Sequence, residues 1–248
     1  MQHNKKEEYI YGTRAIIEAI QAGKEIEKLL VQKDVKNELM GELLSLCRER
    51  QLPVTRVPLE KLNRVTRKNH QGTIAFISAI SYSSLDHIIS STYEKGETPL
   101  LLVLDRVTDV RNFGAIARSA ECAGAHGIIV PAKGSAQINS DAVKTSAGAL
   151  HYLPVFRSPN LKATLKEIQA NGIQIVACTE KGSDSLYDQD LKDPVALLMG
   201  SEEDGISPEF LRLADHMCLL PIKGKIQSLN VGVAASIALY EAVRQRNV

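Results

Sequence analysis

Residues 219–246 read LLPIKGKIQSLNVGVAASIALYEAVRQR, and the parsing of this stretch decides the fold. The apolar run 219–222 reads as the end of a strand. A polar loop with a glycine, 223–227, follows. Ser228-Leu229-Asn230 then opens a helix, because Ser and Asn side-chain oxygens accept from the free N–H groups of a first turn. Loop and helix start together offer hydroxyl, amide and unpaired N–H groups, which suits a polar ligand. Inside the helix Val231, Ala234, Ala235, Ala238 and Ala242 recur at helical spacing and make a small apolar stripe. The plainer reading of the same pattern is a C-terminal helix packed on the core after a Gly loop.

Upstream, apolar runs alternate with helical periodicities. Strands are expected at 100–105 (LLLVLD), 127–130 (GIIV), 152–156, 173–179 (IQIVACT), 195–200 (VALLMG) and 217–222. Helices are expected at 112–124, 139–149, 161–170 and 207–214. Uninterrupted apolar strands belong to sheets covered on both faces, and the alternation predicts an α/β fold with a mostly parallel, doubly wound sheet. Ligands of such sheets lie beyond the C-terminal strand ends. Here those ends are 105–112, 179–182, 200–205 and 222–230.

Residues 9–82 repeat the pattern on a smaller scale: helix 12–22, strand 27–32, helix 35–50 with Leu39, Leu43 and Leu46 on one face, strand 53–57, a helical turn 59–65 and strand 73–79. Residues 81–98 are more polar, with room for a short helix at 85–93, and mark a boundary. The expected division is a domain at 1–82, a linker at 83–98 and a domain at 99–248.

The 248 residues are 44% apolar with a net charge of +1, an ordinary globular balance. No apolar run reaches the roughly 18 residues of a membrane span. The N-terminus MQHNKKEEYIYG is charged and lacks an apolar core, so no signal peptide and a cytoplasmic protein are expected. Cys47, Cys122, Cys178 and Cys218 include no CxxC pair and are expected as buried thiols. Residues 1–83 carry 14 Lys/Arg against 10 Asp/Glu. Within them KLNRVTRKNH at 61–70 has four basic residues and no acid. Such a run attracts phosphates, although it is commonly just a solvated face.

Two loops at expected strand ends carry reactive groups. Residues 105–118 read DRVTDVRNFGAIAR, with Asn112 at a helix start and Arg118 six residues on. Arginine keeps its charge and offers five donors, which suits a phosphate or a developing oxyanion. The plain alternative is an N-cap and a surface ion pair. Residues 199–208 read MGSEEDGISP, a strand-to-helix loop with a glycine at each end and three acids between. Glycine permits close approach of backbone to a ligand, and the acids repel a triphosphate. Ser207 and Pro208 also read as a helix cap and first helical position. No GxGxxG follows the first strand, and no GxxxxGK[ST] or GxSxG occurs. That removes dinucleotide, P-loop and nucleophile-elbow readings. The histidines are isolated, His70, His126 and His151 reading as surface or satisfied core residues, and no metal site is expected.

Taken in order, Asn112…Arg118, Gly200-Ser-Glu202…Gly205 and Leu220-Pro-Ile-Lys-Gly224…Ser228-Leu-Asn230-Val resemble the three signature motifs of the SpoU/TrmH branch of the SPOUT methyltransferases, over residues 99–246. The segments YGTRAIIEAI, KLLVQ and HQGTIAFI resemble the small substrate-binding domain of RlmB-type members, which is similar to RNA-binding ribosomal proteins. The resemblance implies a C-terminal α/β trefoil knot, an exception to the rule against threaded chains. It implies S-adenosylmethionine as methyl donor and an RNA ribose 2′-hydroxyl as acceptor, with a 23S rRNA guanosine as target. Thr179, Gly200, Leu220, Ile222 and Leu229 would hold the cofactor, largely through backbone groups. Arg118, Asn112, Glu202, Ser228 and Asn230 would be the catalytic set. Arg118 would stabilise the emerging alkoxide or orient a phosphate rather than act as a base. Asn112 would support Arg118 or the cofactor, and Glu202 would orient Arg118 or the substrate. Ser228 and Asn230 would line the reaction centre. RNA contact is expected at Arg14, Arg64, Arg67 and Lys68. Members are homodimers through the last helix, where Ala234, Ala238 and Ala242 would allow close packing. No metal is implied, because the sulfonium charge already activates the methyl group.

Two positions depart from the family pattern. Glu203 stands where an inner glycine is usual, and would be strained if a positive φ were required. Gly232 stands where serine is usual. The rival readings are a tRNA ribose methyltransferase of the same family and a silent RNA-binding or ribosome-assembly protein. The intact catalytic set argues against the second.

Overall fold

A computed structural model describes residues 8–226 and 228–247. The chain forms two units, residues 8–81 with 138–140, and residues 82–137 with 141–247.

The first unit runs β1 (Tyr9–Tyr11), α1 (Thr13–Gln21), β2 (Ile26–Gln32), α2 (Glu38–Glu49), β3 (Val54–Val57), α3 (Leu59–Val65) and β4 (Thr73–Ile77). Its sheet has the order β1-β4-β2-β3, with β2 and β3 parallel and the other neighbours antiparallel. Ile16, Ile17 and Ile20 of α1 and Met40 and Leu43 of α2 pack on one face with Leu29, Val31 and Ala75. Strand alternation turns Leu30 and Ile74 to the other face, where Leu62 of the short α3 meets them and Val57. β1 escapes the sequence pattern, since three residues are too few to show alternation; pairing with β4 holds it.

The second unit runs α4 (Leu85–Glu94), β5 (Leu100–Leu104), α5 (Val110–Cys122), β6 (Gly127–Pro131), α6 (Ser140–Thr145), β7 (Val155–Ser158), α7 (Leu161–Ala170), β8 (Gln174–Cys178), β9 (Asp184–Ser185), β10 (Val195–Met199), α8 (Pro208–Leu211), β11 (His216–Leu219) and α9 (Val231–Arg246). Every neighbouring pair in its seven-stranded sheet is parallel, in the order β7-β6-β5-β10-β8-β11-β9. β5 and β10 are buried at every residue, as LLLVL and VALLM require. Leu85 and Ile88 of α4, Leu165 and Ile168 of α7 and Phe210 of α8 cover one face. α9 lies against α5 and β10. The last strands interleave: β8 lies between β10 and β11, and β11 between β8 and β9.

Four expectations change. The stretch 83–98, expected as a linker with room for a short helix at 85–93, holds that helix as α4, which is part of the second unit and not a linker. Ser84 caps it by accepting from the His87 N–H, and Leu85, Ile88 and Ile89 are buried in the core of the second unit; its polar residues are the outer face of an amphipathic helix. The helix expected at 139–149 ends at Thr145, because Ala147 and Gly148 take φ of 52° and 88°. Ala238 and Ala242, expected between chains, are fully buried inside this one. Cys122, expected as buried, is exposed at the end of α5. No described helix is long and apolar enough to cross a membrane.

His126 is a partly buried histidine with both ring nitrogens partnered. Its Nδ1 accepts from the Leu100 N–H at 3.0 Å, and its Nε2 faces Glu97 at 3.2 Å. An accepting Nδ1 carries no proton. Burial holds the pKa below the usual histidine value, against the pull of Glu97. The unfolded chain therefore binds the proton more readily than the folded one. Stability is full above about pH 6.5 and declines as pH falls from there towards the folded pKa. Thermal melts from about pH 7.5 to pH 5.5 should show that decline, and His126→Gln should flatten it. An unchanged slope in the variant would remove the assignment.

Candidate active site

β5, β10, β8 and β11 are adjacent and parallel, so their C-terminal ends gather four loops. Asp105 follows β5 and is buried. Its Oδ2 accepts from the Ser207 N–H at 2.7 Å and its Oδ1 from Arg106 Nε at 3.2 Å. Arg106 stands at φ 57°, uncommon for a residue with a side chain. Its guanidinium also donates to Asp204 at 2.9 Å and to the Gly205 carbonyl at 3.2 Å. These anchors offset a backbone cost of about 1–3 kcal/mol and tie the β5 loop to the β10 loop.

The β10 loop is folded back on itself. Ser201 and Gly205 exchange both backbone hydrogen bonds, at 3.1 and 3.0 Å. A Cβ built on Gly200 would fall inside the contact distance of the Gly205 carbonyl carbon and the Ile206 nitrogen. Only glycine lets these two backbones touch. The left-handed position in the loop is Gly205, φ 67°, while Glu203 lies outside the positive-φ set. Glu203 therefore carries none of the strain that its departure from the family pattern suggested.

Three loops meet in a hydrogen-bonded cluster. Asp109, not Asn112, caps α5, accepting from the Asn112 N–H at 2.8 Å. The Asn112 side chain is thereby free to donate to Glu202 Oε1 at 2.9 Å. Asn230 Nδ2 donates to the same oxygen at 2.7 Å and to Asn112 Oδ1 at 3.1 Å. Asn230 Oδ1 caps α9 through the Gly232 and Val233 N–H groups, at 2.9 and 3.4 Å. A Cβ on Gly232 would stand 3.1 Å from that oxygen, so the glycine leaves the cap room. Beside the cluster is a cleft of about 280 Å³, lined by Arg106, Thr108, Asn112, Glu202 and Val231 among others. Asn230→Ala removes a helix cap and two amide hydrogen bonds. It should cost about 1–2 kcal/mol, read as a lower midpoint in thermal or urea melts. A wild-type midpoint would show that the cluster does not hold the loops.

Arg118 stands apart from this cluster. Six helical residues set it about 9 Å along the axis and about 120° around it from Asn112. It is exposed, and among the described residues it has no hydrogen bond or ion pair. The expected pairing of Arg118 with Asn112 or Glu202 is not made. Ser228 is exposed and also without a hydrogen bond among the described residues. The residues expected around the cofactor do share one edge. Thr179 is buried at the end of β8, its N–H donating to the Cys218 carbonyl at 2.8 Å. Gly200 ends β10. β11 stops at Leu219, so Leu220 and Ile222 belong to the loop beyond it, and Leu229 directly precedes the α9 cap. Ile222 in that loop and Leu229 before the cap are 42% and 41% exposed. Arg14, Arg64, Arg67 and Lys68 lie in the first unit, all exposed. Sequence reasoning missed Arg106 and Asp109; the acid in LLLVLD pointed to the β5 end, but nothing local links Arg106 to a loop some hundred residues away.

Residues 99–240 match the model of the SpoU rRNA Methylase family, and residues 9–83 match that of RNA 2′-O ribose methyltransferase substrate binding. YacO of Bacillus subtilis (strain 168), assigned by name to the TrmH family of tRNA/rRNA methyltransferases, is 32% identical over 244 residues, 98% of either chain. The SpoU methyltransferase AviRb of Streptomyces viridochromogenes, in complex with the cofactor AdoMet, aligns with a TM-score of 0.62 and 30% identity over 99% of this chain and 94% of its own. An AdoMet-bound rRNA methyltransferase from Sinorhizobium meliloti aligns with a TM-score of 0.59 and 28% identity over 95% and 86%. The α/β architecture, with a substrate-binding domain ahead of a SPOUT domain, and the two family matches together place the chain: it belongs to the SpoU/TrmH family of RNA methyltransferases.

Proposed function

We propose that this protein transfers a methyl group from S-adenosylmethionine to the ribose 2′-hydroxyl of a guanosine in 23S rRNA, in the cytoplasm. The observation that carries the reading is the Asn112–Glu202–Asn230 cluster, which joins three loops at the C-terminal strand ends beside an open cleft. The neighbouring residues fit the methyl donor. Gly200 presses backbone against backbone where a side chain would intrude, Thr179 is fixed through its amide, and Ile222 and Leu229 offer exposed apolar surface. Bound there, the donor would supply a methyl group already activated by a sulfonium charge.

The chain's own residues orient the acceptor. Glu202 receives two amide N–H groups on Oε1, and Oε2 has no hydrogen-bond partner among the described residues, so it is placed to accept from a ribose hydroxyl. Arg118 holds a fixed positive charge for the oxygen as it loses its proton, or for an adjacent phosphate. The interleaving of β8 to β11 supports a threaded chain around this edge. The outer side of α9, with Val233 and Tyr240 49% and 51% exposed, is the surface we assign to a homodimer. The match to the RNA 2′-O ribose methyltransferase substrate binding family over residues 9–83 supports an RNA acceptor, and the rRNA in the name of the family matched by residues 99–240 supports the ribosomal target. A tRNA ribose is the alternative target, since the relatives' family name covers both RNAs.

The test is to map 2′-O-methyl groups on 23S rRNA, by resistance to alkaline cleavage, with and without the gene. One guanosine should lose protection when the gene is deleted and regain it on complementation. Unchanged 23S protection with a lost tRNA mark would move the target to tRNA.

A further inference from the structure

The first unit's sheet is covered unequally. α1 and α2 seal one face. On the other, among the described residues of this unit, the seven-residue α3 sets Leu62 against Leu30, Val57 and Ile74, and Tyr9, Tyr11 and Phe76 pack partly buried against that cluster. On this face, register aligns Lys28, Phe76 and Tyr9 in one row of β2, β4 and β1, and Leu30, Ile74 and Tyr11 in the next. Tyr9, Tyr11 and Phe76 are half-buried. The Tyr9 ring centre lies 6.3 Å from that of Tyr11 and 6.1 Å from that of Phe76, in tilted rather than stacked pairs. The rings therefore do not use up one another's flat faces. Lys68 Nζ stands 5.7 Å over the Tyr11 ring. Gln71 Oε1 accepts from the Thr13 N–H, and the Gly12 N–H donates to the Thr73 carbonyl, so the loop carrying Lys68 is pinned beside the end of β1.

We infer that the sheet face bearing Tyr9, Tyr11 and Phe76 is a platform on which unpaired RNA bases stack, with Lys28 and Lys68 taking the adjoining phosphates. The inference rests on the reading of this protein as an RNA methyltransferase. It goes beyond it by naming the substrate feature: single-stranded nucleotides, not duplex. A duplex hides its base faces in the stack and offers only phosphates and groove edges, which need cations but no aromatic rings. Aromatic rings set among cations match splayed bases joined by phosphates. Charge complementarity favours the same occupant, since residues 1–83 carry 14 Lys/Arg against 10 Asp/Glu.

The full-length protein is tested with three RNA probes of equal phosphate number: a single-stranded oligomer, the same oligomer with central abasic sites, and a hairpin duplex. Stacking predicts Kd values about tenfold or more weaker for the abasic and duplex probes. Tyr11→Leu should weaken single-strand binding by about tenfold and leave duplex binding unchanged, while Tyr11→Phe should bind as wild type. Lys68→Gln should reduce the salt slope by about one. The abasic probe needs no substitution, so it decides even if Tyr11→Leu fails to fold. Equal affinity for intact and abasic strands would overturn the platform. Methyl transfer that persists alongside that result would leave the methyltransferase reading standing. Absence of any RNA binding would sink both.

Discussion

Arg118→Ala should lower the single-turnover rate of methyl transfer by about 10²–10³-fold, with RNA affinity nearly unchanged. The size follows from removing one preorganised charge from a developing oxyanion. A ribose hydroxyl is a poor nucleophile and must lose its proton as it attacks, so negative charge gathers on one oxygen. The guanidinium is exposed on α5 and bonded to nothing else among the described residues. Its removal should leave the fold alone, within about 0.5 kcal/mol. Lysine would keep the charge but lose the planar fork, giving an intermediate rate. If the alanine variant turned over like wild type, Arg118 would have no part in the reaction. If it bound RNA as poorly as it reacted, the residue would be an RNA anchor and not a catalytic group.

Gly200→Ala should be the most damaging small substitution in the second unit. The added methyl would collide with the backbone of Gly205 and Ile206, which no rotamer can avoid. Overpacking that cannot relax costs about 3 kcal/mol or more, which lowers Tm by roughly 6–12 °C in a chain of this size. The loop opened by that shift carries Glu202, so the bonds to Asn112 and Asn230 should loosen with it. Differential scanning calorimetry reads the first effect and cofactor titration the second. A variant with wild-type Tm would mean that the loop yields easily, and that tight closure is not what positions Glu202.

Much of this arrangement was legible in the chain. LLLVLD and VALLMG announced buried parallel strands, and they are the central pair β5 and β10. Asn112, Glu202 and Asn230 were each suggested by a strand end and a helix start, and they meet within hydrogen-bonding distance. Their particular partners were not legible. Asn112 read as a cap because it begins a helical pattern, yet Asp109 takes that role three residues earlier and releases the amide for Glu202. Asn112 and Glu202 read as supports for Arg118, the cofactor or the substrate, and of these the contact with Arg118 is not made, because six helical residues set Arg118 on another side of α5 from Asn112. The short helix at 85–93 was legible, but its polar outer face placed it in a linker, and only packing shows Leu85, Ile88 and Ile89 as core. Pairings across long sequence separations depend on the closed fold, and local composition does not encode them.

The central claim is methyl transfer to an RNA ribose. The most direct test incubates the purified full-length protein with S-adenosylmethionine labelled in its methyl group and total RNA from a strain lacking the gene, then separates the RNA by size. Label should appear in 23S rRNA, be released on digestion as a 2′-O-methylated guanosine, and accumulate about 10²–10³-fold more slowly with Arg118→Ala. Label on a base, or no label in any RNA or precursor ribosomal particle despite bound cofactor, would contradict that claim.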